Sequence, residues 1–280
     1  MREISVLEII EKVAEKCIEA NCVLNTDIIE GLGQSLQSEK NPSGRDILSE
    51  MLENAKIARE DNIAICQDTG MVIAFVTIGQ DIHIIDGNIS DAINQGVAKG
   101  YEEGFLRKSV VGDPLLRVNT GDNTPAIIYY DIVPGDKLVI DIVPKGFGSE
   151  NMGGVAMLKP SQGIEGVYNA VIDIVEKAGP NPCPPIVVGV GIGGTMDKAT
   201  LLSKRALLRP LNSISDKEHI AELEKRLFNG INDLGIGPAG LGGTSTTLGV
   251  NIETYPTHIA GLPVAVTISC HVTRHTTLEI

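Results

Sequence analysis

The chain has 280 residues, enough to bury a sizeable core, and 42% of them are hydrophobic, which excludes a disordered protein. Its formal net charge of −13, with 3% aromatic residues and no tryptophan, argues against nucleic acid and anionic membrane surfaces as partners. No apolar run approaches a membrane span, and the charged, amphipathic start MREISVLEIIEKVAEKC lacks the apolar centre of a secretory signal, so a cytoplasmic location is expected.

The first sixty residues are predicted to be helical. Ser5-Val6-Leu7-Glu8 has capping-box spacing, and Leu7, Ile10, Val13 and Cys17 follow at helical intervals. A second helix is predicted to start at Asp27. A third follows Asn41-Pro42-Ser43-Gly44 and carries Ile47, Leu48, Met51, Leu52 and Ala55 on one face. After Cys66 the texture changes to strands. MVIAFVTIG is apolar and β-branched, and PAIIYYDIV and KLVIDIV are predicted to form a hairpin through Pro134-Gly135-Asp136. Helical patterns return at 88–103 and at 160–178, where Gly179 ends the second. PPIVVGVG (184–191) reads as a short buried strand. ATLLSKRALL reads as a helix, and so does HIAELEKRLFNGI, introduced by a Ser215–Glu218 capping box. TTLGVNIE and PVAVTISC complete the strands. The expected architecture is one domain over residues 1–280, of α/β (mixed α+β) class, with mixed, largely antiparallel sheets flanked by helices and a helical N-terminal part.

Five cysteines are present, and cytosolic redox conditions disfavour disulfides. Cys17 and Cys22 belong to the first helix and read as small buried side chains. Cys66, Cys183 and Cys270 each stand at the end of an apolar segment, where a loop can turn a thiol inward. They are 117 and 87 residues apart, without the close pairs that zinc sites recruit. Three such thiolates suit a cubane iron–sulfur cluster with one open iron; three unrelated core cysteines account for the spacing as well.

Glycine accounts for 31 residues, in clusters. Gly189-Val190-Gly191-Ile192-Gly193-Gly194 fits G-x-G-x-x-G, but the chain lacks the N-terminal strand–helix–strand unit of a dinucleotide fold. The paired runs Gly191-Ile-Gly-Gly-Thr195 and Gly240-Leu-Gly-Gly-Thr244 read instead as backbone that approaches a small anion or cluster sulfide. Lys145-Gly146-Phe147-Gly148-Ser149-Glu150-Asn151 reads as a tight turn or as a carboxylate cradle beside one cation. His258 and His271 flank the last strand, and Arg107 follows a helix.

Taken in order, Cys66-Gln-Asp-Thr-Gly70, Lys145-Gly-x-Gly-Ser149, Asn181-Pro-Cys-Pro-Pro185 with Gly189–Thr195, Gly235-Ile-Gly-Pro-Ala-Gly-Leu-Gly-Gly-Thr244 and His258…Ser269-Cys270 resemble the class I iron–sulfur fumarases. The related L-tartrate dehydratases share the pattern. The resemblance implies an alpha subunit of a hydro-lyase that interconverts fumarate and (S)-malate, with tartrate as the alternative substrate. A non-catalytic nucleotide- or metal-binding module is the reading of a different class. The resemblance further implies a [4Fe–4S] cluster on Cys66, Cys183 and Cys270, and substrate contacts from Gln67, Asp68, Arg107, the Gly148 backbone and His258. Asp68 would also move the proton at C3. Single-chain relatives carry a further C-terminal domain, so a beta subunit is expected as partner, with a small dicarboxylic acid as substrate and a dimer of alpha–beta pairs.

Overall fold

Ser5 stands at the N-cap of the first helix, extended at φ −77° and ψ 141°, and its hydroxyl accepts the Leu7 N–H. From that start α1 (Val6–Cys22) buries Val13 and Cys17 of the predicted face, but not Leu7 and Ile10. Ile9, Val13, Cys17 and Ala20 are buried, whereas Leu7 is exposed and Ile10 is only partly covered. The i, i+4 ladder from Ile9 through Val13 and Cys17 governs, and Leu7 falls outside it. The structure, a computed structural model, describes residues 1–280, which form two compact units. The first comprises Met1–Leu24, Ala55–Phe147 and Arg274–Ile280; the second comprises Asn25–Asn54 and Gly148–Thr273.

In the first unit, β2 (Met71–Gly79) is the centre of a four-stranded sheet. β5 (Leu138–Lys145) lies antiparallel on one side of it and β4 (Ile127–Val133) parallel on the other, while β10 (Thr276–Glu279) extends the sheet beyond β5. The predicted hairpin between β4 and β5 is therefore not formed, since β2 separates them. The cause is burial. Val72–Val76 is buried on both faces, as a central strand must be, whereas β4 leaves Ile127, Tyr130 and Ile132 exposed, as an edge strand can. The Pro134–Asp136 turn instead crosses the end of β2, where Gly79 N–H donates to Lys137 O and Asp81 N–H to Gly135 O. Val72, Ala74 and Val76 form one core with Leu138, Ile140 and Ile142. Onto it pack Ile9, Val13 and Cys17 of α1, and Ile93, Val97 and Tyr101 of α4 (Ile89–Glu103). A short parallel pair, β1 (Arg2–Ser5) with β3 (Ile82–Ile85), completes the unit.

The second unit is built on a sheet ordered β6-β9-β7-β8: β6 (Gly154–Leu158), β9 (Leu262–Ser269), β7 (Ile186–Gly193) and β8 (Thr247–Tyr255). β7 runs parallel to β8 and antiparallel to β9. Its alternate residues divide the work. Ile186, Val188 and Val190 face α6 (Gly163–Ala178) and α8 (Glu218–Asp233), in a core with Val171, Val175, Leu223 and Leu227. Gly189 and Gly191 face α7 (Met196–Ala206), where an added Cβ would stand 2.1 Å from Ser203 O and 2.0 Å from Ala199 O respectively. These glycines serve close strand–helix packing, which corrects the expectation that they hold an anion. α8 begins one residue after an N-cap at Lys217, not in the capping box predicted from Ser215. α2 (Thr26–Ser38) and the first part of α3 (Pro42–Asp61) also belong to this unit, and the short α5 (Phe147–Glu150) lies at the junction of the two along the chain. No helix is long and apolar enough to cross a membrane.

Candidate active site

The turn that precedes β2 is held by side chains gathered from the whole first unit. Its main-chain carbonyls are taken one after another. Asp68 O accepts from an Arg274 Nη at 2.6 Å, Thr69 O from the Tyr101 hydroxyl at 2.6 Å, and Gly70 O from Tyr101 at 3.1 Å and Asn123 Nδ2 at 3.1 Å. Ile65 N–H donates to Asn21 O at 2.9 Å, and the Thr69 hydroxyl donates to Arg107 O at 3.0 Å. Gly70 takes φ +77° against the Lys145 main chain, where a Cβ would stand at 2.8 Å.

Within this frame Cys66 and Asp68 interlock. The Asp68 N–H points at Cys66 Sγ at 3.4 Å. The Asp68 carboxylate accepts the Gly70 N–H on Oδ1 at 3.0 Å and the Phe147 N–H on Oδ2 at 2.9 Å. The loop that follows Lys145 thus gives one main-chain N–H, that of Phe147, to a carboxylate of the chain itself. Lys145 is buried and donates to Gly146 O at 3.2 Å. Cys66 and Asp68 are half-buried; Gln67 and Arg107 are exposed.

Cys183 and Cys270 come together in the second unit. Val187 pairs with Ser269, so the loop entering β7 and the loop leaving β9 share one end of the sheet. Cys183 sits at φ +56°; its carbonyl accepts the His271 N–H at 3.5 Å and lies 3.1 Å from His271 Nδ1. Gly148 is exposed, with open space where a Cβ would point. His258 is not brought to these cysteines. It lies in the turn between β8 and β9, at the opposite end of the sheet. The eight-residue strand β9 separates it from Cys270, a span of roughly 25 Å at about 3.3 Å per residue. There it lines a cavity of about 440 Å³ with His219, Ile164 and Ile259. The expectation that His258 contacts the same substrate as Cys183 and Cys270 of its own chain is corrected accordingly.

The second glycine run also closes on an internal carboxylate. The buried Glu39 accepts the N–H groups of Lys40, Asn41, Thr244 and Ser245, and a Cβ on Gly243 would stand 2.7 Å from its Oε1. Burial pushes this carboxyl up, but the Asn41, Thr244 and Ser245 donors outweigh it and hold the group at about 2. The two Gly-Gly-Thr runs therefore have different roles, one packing a helix and one seating Glu39.

None of the five cysteines forms a disulfide. Cys17 and Cys22 are buried, and burial pushes the Cys17 thiol up to about 12 and the Cys22 thiol in the same direction, so neither is a ready thiolate. Cys183 is exposed, and Cys66 and Cys270 are partly so. Neither unit alone brings three His, Cys, Asp or Glu side chains together as a metal site. The three accessible thiols, one of them already receiving a main-chain N–H, have the donor chemistry that an iron–sulfur group requires. Sequence reasoning missed Tyr101, Asn123 and Arg274. Their only signal is that Arg274 follows Cys270 by four positions.

The family model described as fumarate hydratase (Fumerase) matches residues 10–279. A protein of Methanocaldococcus jannaschii, provisionally named L(+)-tartrate dehydratase subunit alpha, is 43% identical over 274 residues, covering 96% of each chain. The L(+)-tartrate dehydratase subunit alpha of Escherichia coli K12 is 34% identical over 288 residues, covering 100% of this chain and 94% of that one. The protein of the same name from Escherichia coli O157:H7 is 35% identical with the same coverage.

Proposed function

Because the chain belongs to the fumarate hydratase family of hydro-lyases, we propose that it is the alpha subunit of a two-subunit enzyme that removes water from a four-carbon hydroxy-dicarboxylic acid. L(+)-tartrate is the first substrate, on the strength of the relatives' names across nearly their whole length. This reverses the order expected from sequence. Interconversion of malate and fumarate is the second reading, supported by the family model. The observation that carries the hydro-lyase reading is the Asp68 carboxylate, fixed on two main-chain N–H groups two residues from Cys66.

Cys66, Cys183 and Cys270 would hold the [4Fe–4S] cluster. When bound, that group supplies an open iron able to polarise a C–O bond as a Lewis acid. The chain's own residues do the rest. Asp68 takes the proton from the carbon next to the departing hydroxyl, with its carboxylate oriented in advance by Gly70 and Phe147. The exposed Gln67 amide and Arg107 guanidinium bind substrate carboxylate or hydroxyl oxygens, and the Gly148 main chain adds a donor. A beta subunit closes the site and supplies the remaining cationic contacts. Dehydration of tartrate gives an enol that ketonises to a 2-oxo acid, whereas malate gives the alkene directly.

The test is the alpha–beta pair, reconstituted anaerobically with iron and sulfide and assayed on both acids. A kcat/KM for L-tartrate at least ten-fold above that for malate is the expected result. The opposite ratio establishes the second reading. A fully loaded pair that turns over neither acid overturns the hydro-lyase assignment to these substrates.

A further inference from the structure

We propose that Arg274 is a positioning residue of this site, whose buried guanidinium fixes the turn that presents Cys66 and Asp68. What the turn does rests on the hydro-lyase reading; how the turn is held rests on the geometry alone.

Arg274 is 5% exposed. One of its Nη groups donates to Asp68 O at 2.6 Å, while its Nε is buried with no hydrogen-bond partner. No carboxylate pairs with it; the ionisable groups close enough to feel its charge include the Cys22 thiol and the Tyr101 hydroxyl. A buried cation with no carboxylate partner is costly, and an apolar side chain of similar length avoids that cost. Fold stability alone therefore does not account for an arginine at this position. Its contact does account for it. Asp68 is gripped at three points: the N–H on Cys66 Sγ, the carboxylate on Gly70 and Phe147, and the carbonyl on Arg274. The guanidinium is the only charged group in this set that reaches Asp68 from a distant part of the chain. Tyr101 and Asn123 hold the next two carbonyls, so with Arg274 absent the carbonyl anchoring starts one residue later, and Asp68 keeps only its N–H and carboxylate contacts. Positioning to within a fraction of an ångström is what such an outer contact contributes to a reacting group.

The experiment compares wild type, Arg274→Met and Arg274→Lys as full-length chains, by two independent readouts. The first is hydrogen exchange of the cluster-free chain. The amides of Asp68, Gly70 and Phe147 are expected to lose at least ten-fold protection in Arg274→Met while amides in the centre of β2 keep theirs, and Arg274→Lys, which retains a charge and a donor, is expected to restore part of it. The second is steady-state turnover of the reconstituted pair, where kcat is expected to fall at least ten-fold in Arg274→Met with KM changed less than two-fold. Unchanged local protection, or a uniform loss across β2, overturns the proposal in favour of no role or a purely structural one. Should Arg274→Met fail to fold, Arg274→Lys decides by the same two measurements. A wild-type chain that takes up no cluster sinks the functional reading, yet the exchange experiment still decides whether Arg274 holds the turn.

Discussion

Asp68 has both carboxylate oxygens engaged by main-chain N–H groups, so its orientation is set before any substrate arrives. Asp68→Asn keeps the shape but cannot take a proton, and its amide nitrogen faces an N–H donor where the carboxylate offered an acceptor. Turnover is expected to fall by at least about 100-fold, with iron and sulfide content equal to wild type; a cluster-free variant would show that the residue acts on assembly instead. Glu39 makes a separate prediction. Its carboxyl is held at about 2 against an ordinary value of 4.5. A lowered value means stability that is complete above the unfolded-state value and is lost as pH falls through the folded one. Glu39→Gln is therefore expected to lower Tm at pH 7, and the gap to wild type should shrink between about pH 4.5 and pH 2; a gap independent of pH would refute the linkage. Legibility at this scale follows distance along the chain. The Cys66–Asp68 contact was readable because thiol and carboxylate-bearing residue are two positions apart. Arg274 and Asn123 were not, because they reach the turn across 206 and 53 positions, and Glu39 reaches Thr244 across 205.

Elements whose own composition decides them were legible, and their partners were not. MVIAFVTIG is β2 residue for residue, and the helices ending at Ala178 and starting after Asn88 fall close to their predicted places. Four short strands, β1, β3, β6 and β10, carry too few residues to establish a period of two against their surroundings. The β4–β5 pairing failed for another reason: a turn sequence reports that the chain reverses, not which strand fills the space between. The glycines of β7 show the same limit, since their spacing fits a phosphate loop until α7 is seen against them. Gly191→Ala places a methyl 2.0 Å from Ala199 O, against backbone that cannot swing aside. A loss of about 3 kcal/mol is expected, read as a lowered urea midpoint at unchanged slope. A neutral substitution would mean that α7 shifts freely.

Across the whole molecule the cysteines divide into two classes. Cys17 and Cys22 are sealed in the first unit, while Cys66, Cys183 and Cys270 lie at strand ends within reach of solvent. Brief alkylation of the native, cluster-free chain is expected to label the latter three and spare the former two, and loading with iron and sulfide should then protect all three together. Protection of only one or two would break the proposed ligand set. Substituting any of the three by Ser should abolish the brown chromophore, whereas Cys17→Ser and Cys22→Ser should not. The mixed α/β class was legible in the sequence. The division of the chain into two interleaved units was not, because it depends on which distant segments pack together.

That interleaving has a bearing on synthesis. Residues 274–280 complete the first unit, yet they emerge from the ribosome only after all of the second has been translated. Strand β10 and the arginine beneath the Cys66 turn are thus delivered to the first unit after the whole of the second. A nascent chain can finish its second unit while the first still waits for residues 274–280, so Cys66 acquires its final surroundings only after the second unit has been made.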